Sequence, residues 1–256
     1  MVWKLERKEH RVYPRNPLAA VVADLRFHPI LKIGSKVPDF QEAVRSVFTE
    51  YQEQAQQFVA VQPFGPMQVT QGMGYIFRKS NGTAALTLTT TSLTLDSRQH
   101  ADRDQLINEA CLGFDALLAL YKPVSAIRFG LRYINIIDRQ PISSDLGHAV
   151  DWGDLVTDKF CSVPSGLADA DGSLYSVEVS SPMSEGGLTV RYGLLPDAKD
   201  NREKFRFDSD RYVDGPVDTS QVRGLLARLA DDIYAVFMAA KWPALEEWMM
   251  KGGSAS

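Results

Sequence analysis

Three arginines are the residues whose type and spacing come closest to a binding site. Arg128 and Arg132 are four residues apart in a predicted strand, so both fall on one face of a sheet, and Arg26 on another strand can join them. Each guanidinium offers a planar fork of donors that suits a carboxylate or a phosphate. Because no phosphate-binding loop accompanies them, the sequence favours the alternative, in which the arginines form ion pairs across the sheet. The acidic candidates for those pairs are Asp24, Glu178 and Asp96.

Two acidic patterns resemble parts of cation sites. Asp208 and Asp210 share one face at the end of a predicted strand, and clustered carboxylates suit a divalent cation. Two isolated aspartates are weak support for a cation site. The favoured interpretation is therefore that they neutralise nearby arginines. Residues 169–172 read Asp-Ala-Asp-Gly but lack the downstream ligands of a calcium loop, and we predict a turn there.

The other reactive side chains form no pattern of a catalytic site. Cys111 and Cys161 have apolar neighbours, which is typical of inert packing residues. The run Gly72-Met73-Gly74 precedes a strand, whereas a phosphate loop precedes a helix. The histidines have neither zinc-site spacing nor a neighbouring serine elbow, and they are His10, His28, His100 and His148. We predict no catalytic residue, metal site or cofactor, and we lean towards a protein that is not an enzyme.

An aromatic and thioether-rich patch lies near the C-terminus. It contains Trp242, Trp248 and Met249. Such a composition suits either a segment that closes a core or an exposed surface that docks a partner protein. Core closure is the favoured interpretation, and the docking surface is the alternative.

Composition limits the classes of partner. The chain has 256 residues, a net charge of −4 and only two cysteines, with a pI of about 5.6. This charge makes nucleic acid an improbable partner. Two cysteines indicate no disulfide framework. The charged N-terminus and the lack of a long apolar run predict no membrane association and a cytoplasmic location.

The elements that position these residues form a faint repeat of strands, an acidic turn and an amphipathic helix. In the first copy residues 75–96 are predicted strands and 102–121 a helix; in the second, 188–210 and 218–240 are their counterparts. We predict an α+β fold of two related halves, 1–140 and 141–251, each an antiparallel β-meander followed by an amphipathic helix. The halves pack as one compact unit, and 252–256 form a flexible tail.

Local patterns predict the individual elements. Residues 18–27 alternate between apolar and polar, which indicates a half-buried strand. Apolar residues at helical spacing predict a helix from Phe40 to Phe58. Asn81-Gly82 predicts a hairpin turn. Asp102 with Gln105, three residues apart, predicts a helix cap. Residues 138–154, with a proline and two glycines, are predicted to be a loop between the halves.

Part of the chain resembles a known family. The strand from Ile127 to Asn135, together with Asn16-Pro17-Leu18 and Leu25-Arg26-Phe27, is similar to a sporadically distributed family of uncharacterised bacterial and archaeal proteins. The similarity extends over Asp208 to Phe237. It implies a prokaryotic origin and a common fold, and it implies no catalytic residue, cofactor or activity.

These observations lead to one expected function and two alternatives. We expect a non-enzymatic protein-binding or assembly module that docks a protein partner, or a second copy of itself, through a sheet face or the C-terminal patch. The first alternative is binding, or hydrolysis, of an anionic small molecule or nucleotide by Arg26, Arg128 and Arg132. The second, suggested by the family's patchy distribution alone, is a role in bacterial defence or toxin neutralisation.

Overall fold

The computed structural model confirms the α+β class. It describes residues 6, 8–60, 68–98, 102–122, 126–157, 160, 174–197, 201–241 and 243–251, without the side chains of 56–60, 68–71 and 219. The described residues form a nine-stranded antiparallel sheet and six α-helices. Within the described residues, no helix combines the length and apolar character needed to cross a bilayer.

The strands and helices have the following bounds. The strands are β1 (Leu18–Phe27), β2 (Glu50–Ala60), β3 (Gln68–Arg78), β4 (Ala84–Leu88), β5 (Ser92–Ser97), β6 (Ala126–Ile137), β7 (Val177–Pro182), β8 (Gly187–Pro196) and β9 (Glu203–Val217). The helices are α1 (Val37–Val44), α2 (Arg103–Tyr121), α3 (Arg139–Leu146), α4 (Trp152–Leu155), α5 (Val222–Ala240) and α6 (Pro243–Met250). Single 3-10 turns precede α1 and α5.

The strands are hydrogen-bonded in the order β2-β3-β4-β5-β1-β6-β9-β8-β7. The chain divides into two compact units, and both are discontinuous in sequence. The first unit contains Met1–Ala20, Arg132–Arg211 and Arg228–Ser256, and the second contains Val21–Leu131 and Tyr212–Ala227. The internal duplication and the division at residue 140 remain predictions.

The first unit has a core in which strand residues pack against helix residues. Phe205 and Phe207 of β9 are fully buried there, and Phe160 packs edge-on against Phe207 with ring centroids 5.2 Å apart. Helices α3 to α6 contribute the residues Ile142, Leu146, Leu155, Val236, Ala240, Leu245 and Met249. Burial of these side chains provides most of the stability of a unit of this kind.

The second unit contains the meander β2 to β5, the helices α1 and α2, and most of β1. The predicted strand at residues 18–27 is confirmed, since Val21, Ala23, Leu25 and Phe27 are all buried. The predicted hairpin is also confirmed: Gly82 has a φ of 70° in the turn between β3 and β4. Such positive φ values are the reason for glycine in this type of turn.

The predicted cap of α2 is confirmed as well. The Asp102 carboxylate accepts a hydrogen bond from the backbone N–H of Gln105 over 2.8 Å. The Gln105 side chain, however, donates to Glu109 instead of returning to the cap residue. Of the two hydrogen bonds of a capping box, the one from the Gln105 backbone to the Asp102 side chain is therefore present, and the one from the Asp102 backbone to the Gln105 side chain is not.

Two local predictions are wrong. The predicted helix from Phe40 to Phe58 ends at Val44, and residues 50–60 form strand β2. The reason is tertiary pairing, because β2 is hydrogen-bonded to β3 along eleven residue pairs and Tyr51 packs against Phe77. These contacts override the helical preference of a Gln-rich and Glu-rich segment.

The second error concerns residues 138–154, where α3 and α4 replace the predicted loop. Asp138 caps α3 by accepting a hydrogen bond from the N–H of Gln140, and Gly147 ends that helix in the left-handed conformation. Asp151 and Asp154 form a reciprocal capping box on α4. One of the two glycines that suggested a loop, Gly147, is a helix stop signal, and Asp138 and Asp151 are helix start signals.

Candidate functional site

Strands β6 and β9 position a cluster of charged side chains in the first unit. Because side chains alternate along a strand, Phe205 and Phe207 face the core while Arg206 and Asp208 fall on the opposite face. Arg132 of β6 reaches the same carboxylate. We call Arg132, Arg206 and Asp208 the arginine cluster.

The Asp208 carboxylate is the centre of the arginine cluster and has no exposed surface. Arg132 donates to it twice, from Nε to Oδ1 over 2.7 Å and from Nη2 to Oδ2 over 2.6 Å. This bidentate geometry fixes the plane of the guanidinium. About a third of the Arg132 side chain, 35%, remains exposed.

Arg206 completes the arginine cluster from the same strand as the carboxylate. Its Nη2 also donates to Oδ2 of Asp208, and 34% of its side chain is exposed. Its Nε is buried and has no hydrogen-bond partner among the described residues. An unsatisfied buried N–H calls for an explanation, because such groups are nearly always paired in proteins.

The electrostatics of the arginine cluster keep both kinds of group ionised. Burial alone would raise the pKa of Asp208, but the hydrogen bonds and charges of Arg132 and Arg206 outweigh burial and hold it below its usual value. The hydrogen bond to Asp208 raises the pKa of Arg132. The lowered pKa of Asp208 and the raised pKa of Arg132 keep these two groups charged near neutral pH, so their arrangement suits binding better than proton transfer.

The other two predicted arginines are held differently. Arg26 donates to Asp24 over 2.7 Å, and 58% of its side chain is exposed. Asp24 is thus one of the predicted partners, but it lies on the same strand, so this pair does not span the sheet as predicted. Arg128 lies 3.9 Å from the centre of the Tyr212 ring and 3.7 Å from the Asp214 carboxylate. Neither arginine lies beside a fully buried carboxylate.

The two remaining acidic candidates pair elsewhere. Glu178 accepts a hydrogen bond from Arg191 over 2.6 Å. Asp96 lies 3.8 Å from Arg98, the next residue but one. The prediction that these carboxylates neutralise Arg26, Arg128 or Arg132 is therefore wrong.

The C-terminal patch contributes to the core. Met249 is buried, and Trp248 packs against the core of the first unit while its Nε1 donates to Asp145 over 2.9 Å. Trp248 also lines a surface groove of about 240 Å³ with Pro17 and Ile136. Trp242 lies outside the described residues. The described part of the patch therefore closes a core, which was the favoured interpretation.

The described residues hold no group of three or more His, Cys, Asp or Glu side chains arranged for a metal ion. Of the predicted acidic pair, Asp208 has its oxygens occupied by arginine donors, and Asp210 acts on Arg132 through its charge. The turn predicted at 169–172 and Cys161 lie outside the described residues.

Cys111 behaves as the sequence predicts. It is buried in α2, and burial raises the pKa of its thiol. A thiol with a raised pKa is poorly nucleophilic, so Cys111 is a packing residue.

Sequence reasoning missed Arg206. Its signal was present in the alternation of β9, where Lys204, Arg206, Asp208 and Asp210 occupy one face. The favoured interpretation, in which Asp208 and Asp210 neutralise nearby arginines, is confirmed for Asp208, but it did not name Arg206, two residues before Asp208. A charge of each sign at positions i and i+2 of a strand indicates contact on one face.

Comparison of the sequence with protein-family models and with curated proteins gives no match. The resemblance to the bacterial and archaeal family therefore remains a prediction, and the arginine cluster has to be interpreted from its own geometry.

Proposed function

We propose that the chain binds an anionic group, a carboxylate or a phosphate, at Arg132 and Arg206. The observation that supports this proposal is the pair of guanidiniums that the fully buried Asp208 carboxylate holds in place, while about a third of each arginine side chain remains exposed. The buried Nε of Arg206 is out of reach of a ligand. An anion would therefore bind at the exposed part of the two side chains, without any rearrangement of the arginines.

The count of donors supports the same conclusion. A guanidinium has five N–H groups, and Asp208 accepts from two nitrogens of Arg132 and one of Arg206. Both arginines therefore keep donors beyond those that Asp208 uses. Since about a third of each side chain is exposed, an incoming anion can reach them.

The balance of charge favours an anion at Arg206. Asp208 neutralises one of the two positive charges, and the charge of Asp210 acts on Arg132. Arg206 is thus the arginine with the less compensated charge.

The test is titration with inorganic phosphate and, separately, with citrate, at constant ionic strength. Thermal unfolding and calorimetry should both show binding by the wild-type chain. Arg206→Ala should weaken binding roughly tenfold or more, since a hydrogen bond to a charged group contributes about 1.5–3 kcal/mol. A preference for phosphate or for citrate identifies the class of anion.

Arg26→Ala is the matched control, because Arg26 is also paired with an aspartate but is more exposed. It should bind both anions as the wild type does. If neither anion binds, or if Arg206→Ala binds them as tightly as the wild type, the proposal is wrong. Circular dichroism of each variant verifies that the fold is intact.

The expected protein-binding or assembly module remains a second proposal. The described part of the C-terminal patch no longer supports it, because Met249 is buried. A specific observation elsewhere does support it, namely the position of strand β2 at one end of the strand order of the described residues.

A further inference from the structure

Strands β2 and β3 extend beyond their neighbours in the second unit as a two-stranded ribbon. They are paired from Glu50↔Arg78 to Ala60↔Gln68, whereas β3 and β4 are paired only over Tyr75–Arg78. The seven pairs from Gln54↔Gly74 to Ala60↔Gln68 therefore lie outside the β3–β4 pairing. At 3.3 Å per residue this ribbon is about 23 Å long.

Among the described residues, no third strand is paired with these seven pairs of the ribbon. Two strands alone are marginally stable in water, and a third strand or a packed helix is normally needed. Strand β2 is at one end of the sheet order, so among the described residues β3 is its only neighbour in the sheet. No described strand pairs with the backbone groups on the far side of β2, which makes this edge a candidate for pairing with another strand.

The ribbon also lacks the features by which proteins protect an exposed edge. Residues 54–60 and 68–74 contain no Asp, Glu, Lys, Arg or His and no proline. Natural edge strands are protected by charged residues, prolines, bulges or short length. Strand β7, at the other end of the order, has this protection: it is six residues long, carries the exposed Glu178 and ends at Pro182.

We propose that the ribbon edge is an interface between two copies of this chain, paired antiparallel through β2. Self-pairing of one strand about a twofold axis is isologous, so each copy supplies the same donors and acceptors. The uncharged segment 54–60 can face itself without repulsion between like charges.

The acidic residues of β2 agree with this arrangement. With Gln57 at the twofold axis, Glu50 and Glu53 of the two copies lie at opposite ends of the paired segment. A strand from an unrelated partner can carry charges opposite to those of the edge, whereas two copies of one strand always carry the same net charge. An uncharged segment offers nothing for an oppositely charged partner strand to recognise and avoids repulsion between two copies, so it favours a second copy.

Sedimentation equilibrium on the purified chain, from about 1 to 200 µM, tests the proposal because an interface of this size is expected to have micromolar affinity. The wild type should be a dimer at the upper end. The double variant Gln56→Lys/Gln57→Lys should weaken self-association at least tenfold, as should Gln56→Glu/Gln57→Glu. An equimolar mixture of the two variants should form a heterodimer, because opposite charges then face each other.

The control is Val179→Lys/Ser181→Lys, which adds the same charge to the protected edge β7 and should leave the dimer unchanged. A wild-type chain that is monomeric over the whole range overturns the proposal, as does a lysine variant that associates like the wild type. If a monomeric wild type retains a different protein that the lysine variant loses, the edge pairs with a foreign strand, and self-pairing is wrong.

A cross-linking variant covers the case in which the lysine variants fail to fold. Gln57→Cys places a thiol at the twofold axis, and mild oxidation should give a covalent dimer that the wild type and Ser181→Cys do not give. Failure of Gln57→Cys to cross-link at concentrations where the wild type is a dimer excludes pairing through β2.

Discussion

Arg132 and Arg128 lie on the same strand, β6, and each has a carboxylate of β9 as a partner, but the two are held in different ways. Arg132 forms a bidentate pair with Asp208, which has no exposed surface. Arg128 is stacked on Tyr212, and its carboxylate partner Asp214 is 56% exposed and 3.7 Å away.

The difference shows that burial of the carboxylate, more than the spacing of the arginines, determines which arginine is preorganised. A buried carboxylate must be paired, so it fixes the orientation of its partner. An exposed carboxylate is solvated by water, so it does not fix the orientation of the arginine, which can form other contacts. The following variants test this contrast between the Asp208 and Asp214 environments.

The largest effect is expected from Asp208→Ala. It leaves two partly buried guanidiniums without their shared carboxylate, and the free energy of unfolding should fall by about 3 kcal/mol. Asp214→Ala, the matched change in the exposed pair, should cost less than about 0.5 kcal/mol. Urea unfolding of both variants measures the difference. Equal losses would show that burial of the carboxylate does not distinguish the two sites.

Acid should reproduce part of this effect in the wild type. Because the folded chain holds the pKa of Asp208 below its usual value, the ion pairs contribute stability above the unfolded pKa near 4 and lose it as pH falls through the folded pKa. Between about pH 5 and pH 2, the unfolding free energy of the wild type should therefore fall more steeply than that of Asp208→Asn. Parallel curves would contradict the lowered pKa.

A smaller loss is expected from Arg132→Lys. An ammonium keeps the charge but cannot give two parallel hydrogen bonds, so the unfolding free energy should fall by about 1 kcal/mol. Arg26→Lys is the control and should change stability very little, because Arg26 is largely exposed. If Arg132→Lys is as stable as the wild type, the bidentate geometry adds nothing to the free energy of unfolding beyond the contribution of the positive charge.

The smallest effect is expected from Tyr212→Leu. It removes the ring beneath Arg128, and a cation–π contact at a partly exposed site contributes about 0.5 kcal/mol. A double-mutant cycle with Arg128→Ala isolates this contribution. A coupling energy close to zero would show that the contact with the Tyr212 ring does not stabilise Arg128.

Local signals in the sequence were sufficient for much of the fold. Alternation predicted β1, a turn dipeptide predicted the β3–β4 hairpin, and Asp102 predicted the start of α2. Strand β2 could not be predicted in this way, because its Gln-rich segment forms a strand only when the next strand, β3, supplies hydrogen bonds. The order of the strands is hidden because β1 pairs with β5, about 70 residues further along the chain.

The candidate site was less accessible to sequence reasoning. Arg132 was identified by its spacing, but spacing alone could not show that its partner is Asp208, 76 residues further on. Arg206 was missed because the contact that matters, with Asp208 on the same strand, becomes significant only once that carboxylate is buried. Burial is a property of the packed chain and has no short sequence signature.

The place of β1 in the sheet has a consequence for synthesis of the chain. Its partner β5 pairs Val21 with Ser97 and Arg26 with Ser92, so β5 leaves the ribosome about 70 residues after β1. At 5–20 residues per second this delay is roughly 4–15 seconds. During that time the backbone N–H and C=O groups of β1 that bond to β5 in the fold have no β5 to pair with in the nascent chain. Chaperone binding to the emerging β1 is therefore most useful until residue 97 has left the ribosome.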